Sequence, residues 1–257
     1  MNNDSPQSAP TPPPEPSPTR PKNWPLWLGL GVFGGAAIAL LIALISLLGD
    51  PDPAPVVDNA NPPAAAAPDG LQAQQQVRAV INDLDRAVLV GDSPTMGNPD
   101  AAVVLLEFSD FECPYCARSK AEVATFMAAH EADVLLVFKH LPLTNIHAEA
   151  LPAALAAWAA GQQDQFWPYH DALFAQQADL GEALYVQTAE ALGLDLAQFN
   201  RDRASEAAKA AIARDLALAA ELQLNSTPTF ILDTLLIPGA VPAAFFSEAL
   251  ERIQAAE

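Results

Sequence analysis

Two short apolar runs constrain this chain more than any other feature. Val103-Val104-Leu105-Leu106-Glu107-Phe108 and Val134-Leu135-Leu136-Val137-Phe138 are continuous rather than alternating. Runs of that length between turn residues read as strands buried on both faces. Between them, Val123, Phe126 and Met127 mark one face of a helix that reaches about His130. Two such strands joined by a helix make a βαβ unit, with parallel neighbours and a right-handed crossover. The domain around them is therefore predicted to be α/β.

From about Ile146 to Leu224 no run reads as a strand. Alanine, leucine and glutamine dominate, and the pattern predicts several helices with breaks near Gly161, Asp179-Leu180-Gly181 and Gly193. Thr229-Phe230-Ile231-Leu232 and Leu235-Leu236-Ile237 then flank an Asp233-Thr234 turn. Phe246, Ala249, Leu250 and Ile253 recur at helical spacing near the end. The order is βαβ, a helical insertion over about 146–224, then ββα. Upstream, Val77, Val80, Ile81, Leu84 and Val88 predict one amphipathic helix over 71–91. Gly91 to Pro99 reads as a loop, with turn signals at Asp92-Ser93-Pro94 and Asn98-Pro99.

The segment before that helix has a different character. Residues 1–25 form a proline-rich tail that buries too little apolar surface to order itself. Leu26 to Leu48 carries no charge. At ~1.5 Å per residue this stretch spans roughly 34 Å, enough to cross a bilayer core as one transmembrane helix. Trp24 and Trp27 stand where interfacial aromatics would lie. A cleavable signal peptide is the alternative, but its apolar core is normally about 7–15 residues and ends in small residues. Ser46-Leu47-Leu48-Gly49-Asp50 fits that poorly. Arg20 and Lys22 precede the span, and Asp50 and Asp52 follow it. Positive charge stays inside, so the N-terminus is expected in the cytoplasm and the rest on the periplasmic or extracellular side. Residues 49–70 are a proline- and alanine-rich linker, and the α/β domain occupies 92–257. The formal charge is -19 with no basic stripe, which argues against a nucleic-acid partner.

The chemistry concentrates at Cys113-Pro114-Tyr115-Cys116, which holds both cysteines of the chain. A disulfide across two residues closes a tiny loop and does little to restrain the unfolded chain. A zinc half-site would need two more ligands, and His130, His140, His147 and His170 show no paired spacing. No metal and no cofactor is expected. The pair lies between the carboxyl end of a central strand and a helix start, the edge where α/β sheets build sites. Backbone N–H groups and the helix dipole there favour a thiolate, so the Cys113 pKa should fall below the ordinary thiol value. Pro114 suits the first helical turn. Cys113 is expected to be exposed and to attack disulfides; Cys116, one turn on, is expected to be buried and to resolve the mixed disulfide. Asp110 and Glu112 would oppose the thiolate if their side chains face it. Glu107 interrupts the buried strand and, if buried, could move a proton to or from Cys116. Its other reading is a strand-end glutamate reaching water or a surface lysine.

The segment Glu107-Phe108-Ser109-Asp110-Phe111-Glu112-Cys113-Pro114-Tyr115-Cys116 resembles the active site of DsbA-like proteins. Phe138-Lys139-His140-Leu141-Pro142-Leu143, the run Gln165 to Phe174 and Ser226-Thr227-Pro228-Thr229-Phe230 are similar to other parts of that family. The resemblance covers roughly Ser93 to the C-terminus. It implies a thioredoxin fold with an inserted α-helical domain. It implies a cis Thr227-Pro228 bond facing the cysteines, with Thr227, Pro228, Pro114 and Tyr115 contacting a substrate peptide. It also implies that Glu107 is the family's buried carboxylate and Lys139 its basic neighbour. Tyr115 stands where the strongest oxidases of the family have histidine, and Ser226 where glycine is common.

The expected function is a membrane-tethered protein disulfide oxidoreductase that oxidises cysteine pairs of exported proteins. With no third cysteine, it would depend on a membrane redox partner, either a quinone-coupled oxidase or a reductase. Two alternatives stay open: a reductase or isomerase of the same fold, and a non-catalytic anchored binding protein.

Overall fold

The computed structural model describes residues 70–256. The expected tail (1–25), membrane span (26–48) and linker up to residue 69 lie outside the described residues. Among the described residues no helix is long and apolar enough to cross a membrane.

The domain opens with two helices, α1 (Gly70–Asp83) and α2 (Arg86–Val90), rather than one over 71–91. The break falls at Asp85, which is extended and accepts the Val88 and Leu89 amides on its carbonyl. Aspartate is favoured at a helix start over a helix interior, and the apolar spacing alone does not register that. Strand β1 (Thr95–Gly97) follows inside the segment expected to be a loop. It pairs antiparallel with Val137, Leu136 and Leu135. All three of its residues are exposed, so the strand leaves no apolar pattern. Gly97 is specified by space. Its φ is +95°, and a Cβ there would lie 2.3 Å from the Val134 carbonyl oxygen.

Strands β2 (Val103–Ser109) and β3 (Val134–His140) flank helix α3 (Pro114–His130) and run parallel, as the βαβ reading requires. The insertion comprises α4 (Ala150–Gly161), α5 (Phe166–Ala175), a 3-10 turn at Gln177–Asp179, α6 (Glu182–Ala191), α7 (Leu196–Arg203) and α8 (Glu206–Glu221). Asp195 caps α7 through the Gln198 amide, and Ser205 caps α8 through the Ala208 amide. The hairpin β4 (Thr229–Leu232) and β5 (Leu235–Pro238) turns at Asp233, whose φ is positive. Helix α9 (Ala243–Gln254) completes the domain.

The sheet order is β1-β3-β2-β4-β5. Val103, Leu105, Val134, Leu136, Phe230 and Leu232 face α3 and α9 on one side. Leu106, Phe108, Leu135, Val137 and Ile231 face α1 and α8 on the other. A third apolar cluster joins the cysteine loop to the insertion through Phe111, Phe138, Phe166 and the buried alanines of α4. The free edge of β5 is covered by one side chain. The Gln74 amide donates to the Thr234 carbonyl (2.7 Å) and accepts from the Leu236 amide (2.9 Å), as a neighbouring strand would.

Gly97→Ala is expected to cost about 2–3 kcal/mol, because positive φ and the clash with Val134 act together. Urea unfolding of the variant checks this, with an unchanged midpoint as the contrary result.

Candidate active site

Strand β2 delivers the chain to the sheet edge at Ser109, and α3 starts at Pro114 with Cys113 as its cap residue. The four-residue turn between them is held by Asp110. One Asp110 carboxylate oxygen accepts the Glu112 amide (2.8 Å). The other accepts the Leu143 amide (2.9 Å) and pairs with His147 Nδ1 (2.8 Å). Glu112 in turn accepts the Glu149 amide (2.6 Å). The two acids are thus committed to amides and a histidine. Burial opposes protonation of His147, but its bond to Asp110 and the charges of Asp110, Cys113 and Glu112 raise its pKa. An imidazolium is therefore favoured close to the motif.

Cys113 is not exposed as the sequence led us to expect: only 4% of it is accessible. It packs among Phe111, Phe138 and the insertion, and its thiol donates to the Thr227 carbonyl at 3.3 Å. The Cys113 pKa falls to about 5. The largest cause is a hydrogen bond from the Cys116 thiol; burial opposes it, and Thr227 and the Cys116 and Tyr115 amides add to it. The helix start therefore contributes, but the neighbouring thiol contributes more. Cys116 is buried as expected, and burial pushes its pKa well above the ordinary thiol range, reinforced by Cys113. Within one helical turn the two thiols are driven apart, one toward thiolate and one toward thiol. Pro114 occupies the first turn of α3, and Tyr115 is 54% exposed with the Arg118 guanidinium 4.4 Å from its ring centre.

Thr227-Pro228 is a cis peptide bond against the cysteines. Glu107 is buried in β2, and burial lifts its pKa to about 7 against the opposing Ser109 hydroxyl. Lys139 is not its neighbour. In the β2–β3 register Glu107 lies opposite Phe138, while Lys139 lies opposite Phe108. Alternation along a strand puts Lys139 on the other face of the sheet. There it pairs with Asp215 (3.4 Å) and donates to Ser93 Oγ (2.7 Å). Burial lowers the Lys139 pKa and raises that of Asp215.

Four residues at the site were not singled out from the sequence. Gln177 donates to the carbonyls of Phe111 (2.7 Å) and Cys113 (2.9 Å), tying the insertion to the cysteine turn. No local signal marks it. His147 holds Asp110 from 37 residues away. Ser109 follows Glu107 by two residues and shares its face, which strand alternation could have shown. His140 is Ser109's register partner on the same face.

A family model described as Thioredoxin matches residues 90–252. The chain belongs to that thioredoxin family. A thioredoxin-like oxidoreductase from Silicibacter pomeroyi superposes with a TM-score of 0.63 at 34% identity, covering 68% of this chain and 100% of that one. The thiol-disulfide exchange protein alpha-DsbA2 from Wolbachia pipientis gives 0.63 at 17% identity, covering 70% and 97%, a likeness of fold. Among curated relatives, a Na(+)/H(+) antiporter NhaA from Salinispora tropica is 33% identical over 235 residues, 83% of this chain. The chain spans about a third of that relative's length (35%). The fold is thioredoxin-like, of the DsbA type, with a helical insertion between β3 and β4.

Two outcomes follow for this thioredoxin-family site. Lys139→Met is expected to destabilise the protein by about 3 kcal/mol, since it strands the buried Asp215. It should leave the Cys113 thiolate inflection in place, read by absorbance at 240 nm. The second outcome concerns pH. The folded pKa of Cys113, about 5, lies below the ordinary thiol value of about 9, so the reduced protein gains stability as pH rises from about 5 toward 9 and loses it as pH falls back through that window. The stability of the reduced form relative to the oxidised form should therefore grow across that window, measured by denaturant unfolding of each.

Proposed function

We propose that this chain is a membrane-tethered protein disulfide oxidoreductase that oxidises cysteine pairs of exported proteins. The observation that carries this reading is the opposed tuning of two thiols one helical turn apart, beneath the Thr227 carbonyl. A substrate thiolate attacks the Cys113 sulfur of the Cys113–Cys116 disulfide. The Cys113–substrate bond forms, the Cys113–Cys116 bond breaks, and Cys116 leaves with the electron pair. A second substrate thiolate then attacks the substrate's own sulfur, forming the substrate disulfide and releasing Cys113 as a thiolate. Two electrons pass to the enzyme, and a membrane redox partner removes them. A stabilised Cys113 thiolate makes that release favourable and the enzyme disulfide oxidising.

The Thr227 backbone and the exposed Tyr115 are the surfaces for the substrate peptide, with Pro114 and Pro228 shaping the approach. Placement outside the cytoplasm rests on the charge-free run 26–48 and the basic residues before it. The antiporter-named relatives, which match this chain over 24–35% of their length, are compatible with work at a membrane. Tyr115 favours considering the reverse direction, reduction or isomerisation of wrong disulfides, because that position tunes the thiolate.

Cys113→Ser is expected to abolish oxidation of a reduced, unfolded substrate, while the wild type completes it. Wild-type turnover by that variant would end the reading. The reduction potential of the pair, with the in-cell redox state of Cys113, decides direction: a mostly oxidised steady state is expected, and a mostly reduced one would assign the reductive role.

A further inference from the structure

Among the described residues, four buried side-chain polar atoms have no hydrogen-bond partner: Ser109 Oγ, both ring nitrogens of His140, and Thr227 Oγ1. Ser109 and Thr227 border the cysteine pair, and His140 lies opposite Ser109 in the β2–β3 register. Buried polar atoms are normally paired, because leaving one unpaired costs stability. The Thr227 hydroxyl has an evident use, since it favours the Cys113 thiolate once the thiol proton leaves. Ser109 and His140 require another account.

Ser109 is 1% exposed and sits two residues after Glu107 on the same face of β2. Its hydroxyl interacts with two groups, favouring the carboxylate of Glu107 and the thiolate of Cys116. A hydroxyl has one proton to donate, so it can serve one of them at a time. Unpartnered while both cysteines are free thiols, it is available to donate to the Glu107 carboxylate or to Cys116 when the charge lies there. Packing alone would be met by alanine.

We propose that the Ser109 hydroxyl relays a proton between Glu107 and Cys116, on the sheet face that it shares with His140. This rests on the oxidoreductase reading and names the path that reading leaves open. When a substrate thiolate opens the disulfide, Cys116 leaves as a buried thiolate. Ser109 passes its proton to Cys116 and takes one from the Glu107 carboxyl, so no charge stays on the sulfur. In reverse, Cys116 gives its proton to Ser109, Ser109 gives one to the Glu107 carboxylate, and the Cys116 thiolate attacks a Cys113 mixed disulfide. The Cys113–Cys116 bond forms, and the substrate thiolate leaves with the electron pair.

The surroundings leave Glu107 as the group that trades protons here. Helix α3 contributes Cys113 and Cys116. Strand β3 contributes Phe138 opposite Glu107 and His140 opposite Ser109, and β4 contributes Phe230. From the insertion, His170 lies against Phe138. Burial, His170 and Lys139 hold the His140 pKa down to about 3, so His140 stays neutral at working pH. Lys139 and Asp215 occupy the other face of the sheet, and Asp110 is engaged with His147.

The test uses the full-length chain carrying a Cys113–glutathione mixed disulfide. Release of glutathione reports attack by Cys116. In the wild type the rate should fall as pH drops through about 7, where Glu107 titrates. Glu107→Gln should remove that break. Ser109→Ala should remove it too and slow release about a hundredfold at pH 7.5, the lower end of the range of acid–base assistance. Ser109→Thr, which keeps the hydroxyl, should restore both, and the Cys113 inflection near pH 5, read on the fully reduced protein, should be unchanged. Ser109→Ala releasing at the wild-type rate with the break intact would overturn the relay and leave the oxidoreductase reading standing. The wild type supplies a test that needs no variant: its rate in mixed light and heavy water should curve, as two protons move together. A linear dependence would overturn the relay. Wild-type mixed disulfide that never releases glutathione would overturn both readings.

Discussion

The parallel register between β2 and β3 is the constraint on which the site depends. It sets Ser109 against His140 and Glu107 against Phe138, and it sends Phe108 and Lys139 to the opposite face. Alternation then sorts the polar groups without further instruction. Glu107, Ser109 and His140 collect under the cysteines. Lys139 and Asp215 pair on the far side, where α8 packs. A slip of β3 by one residue in that pairing would turn His140 away and bring a buried lysine to the face of the thiols. Gly97 supports the same arrangement from outside, because only a residue without Cβ lets β1 close against β3 at Val134.

Much of the fold was legible because its signals are local and redundant. The two continuous apolar runs became β2 and β3, and the Asp233-Thr234 turn joined β4 to β5. The glycines at 161, 181 and 193 stand at or beside helix ends in the insertion. What escaped was structure without a buried face or a local mark. The three exposed residues of β1 carry no pattern, and the helix break at Asp85 interrupts a spacing that continues through it. The boundary at Ser205 has no glycine. It is set by a serine cap, a weaker signal than a change of period.

The candidate site was legible in its covalent parts and less so in its support. Two cysteines at a strand-to-helix junction announce their chemistry from spacing alone. The Glu107 burial follows from its neighbours in an apolar strand. The groups that hold the turn come from far along the chain: Leu143, His147 and Glu149 from the segment after β3, Gln177 from the insertion, Thr227 from the loop before β4. No local pattern predicts such contacts, because tertiary packing makes them. Lys139 shows the opposite failing. A resemblance placed it beside Glu107, yet the strand period excludes that placement once the register is known.

The distribution of charge explains why a low-pKa thiolate can exist in a chain with formal charge -19. Acidic residues close to Cys113 would raise its pKa, and two lie within three positions of it. Both are spent on other partners, Asp110 on amides and an imidazole, Glu112 on the Glu149 amide. The thiolate is left facing donors: the Cys116 thiol, the Thr227 hydroxyl and the first amides of α3. Short-range hydrogen bonds outweigh the net charge because solvent and salt screen distant surface charges while a buried donor acts unscreened. Each of those donors weakens when the charge moves to Cys116, and Cys116 has burial against it. A charge stable on one sulfur and costly on the other gives the pair its direction of attack. It also requires that a proton reach Cys116 whenever the disulfide opens. Bulk water has little access to a sulfur so buried, and in the relay proposed above the buried Glu107 carboxyl, which titrates near neutrality, is the source of that proton.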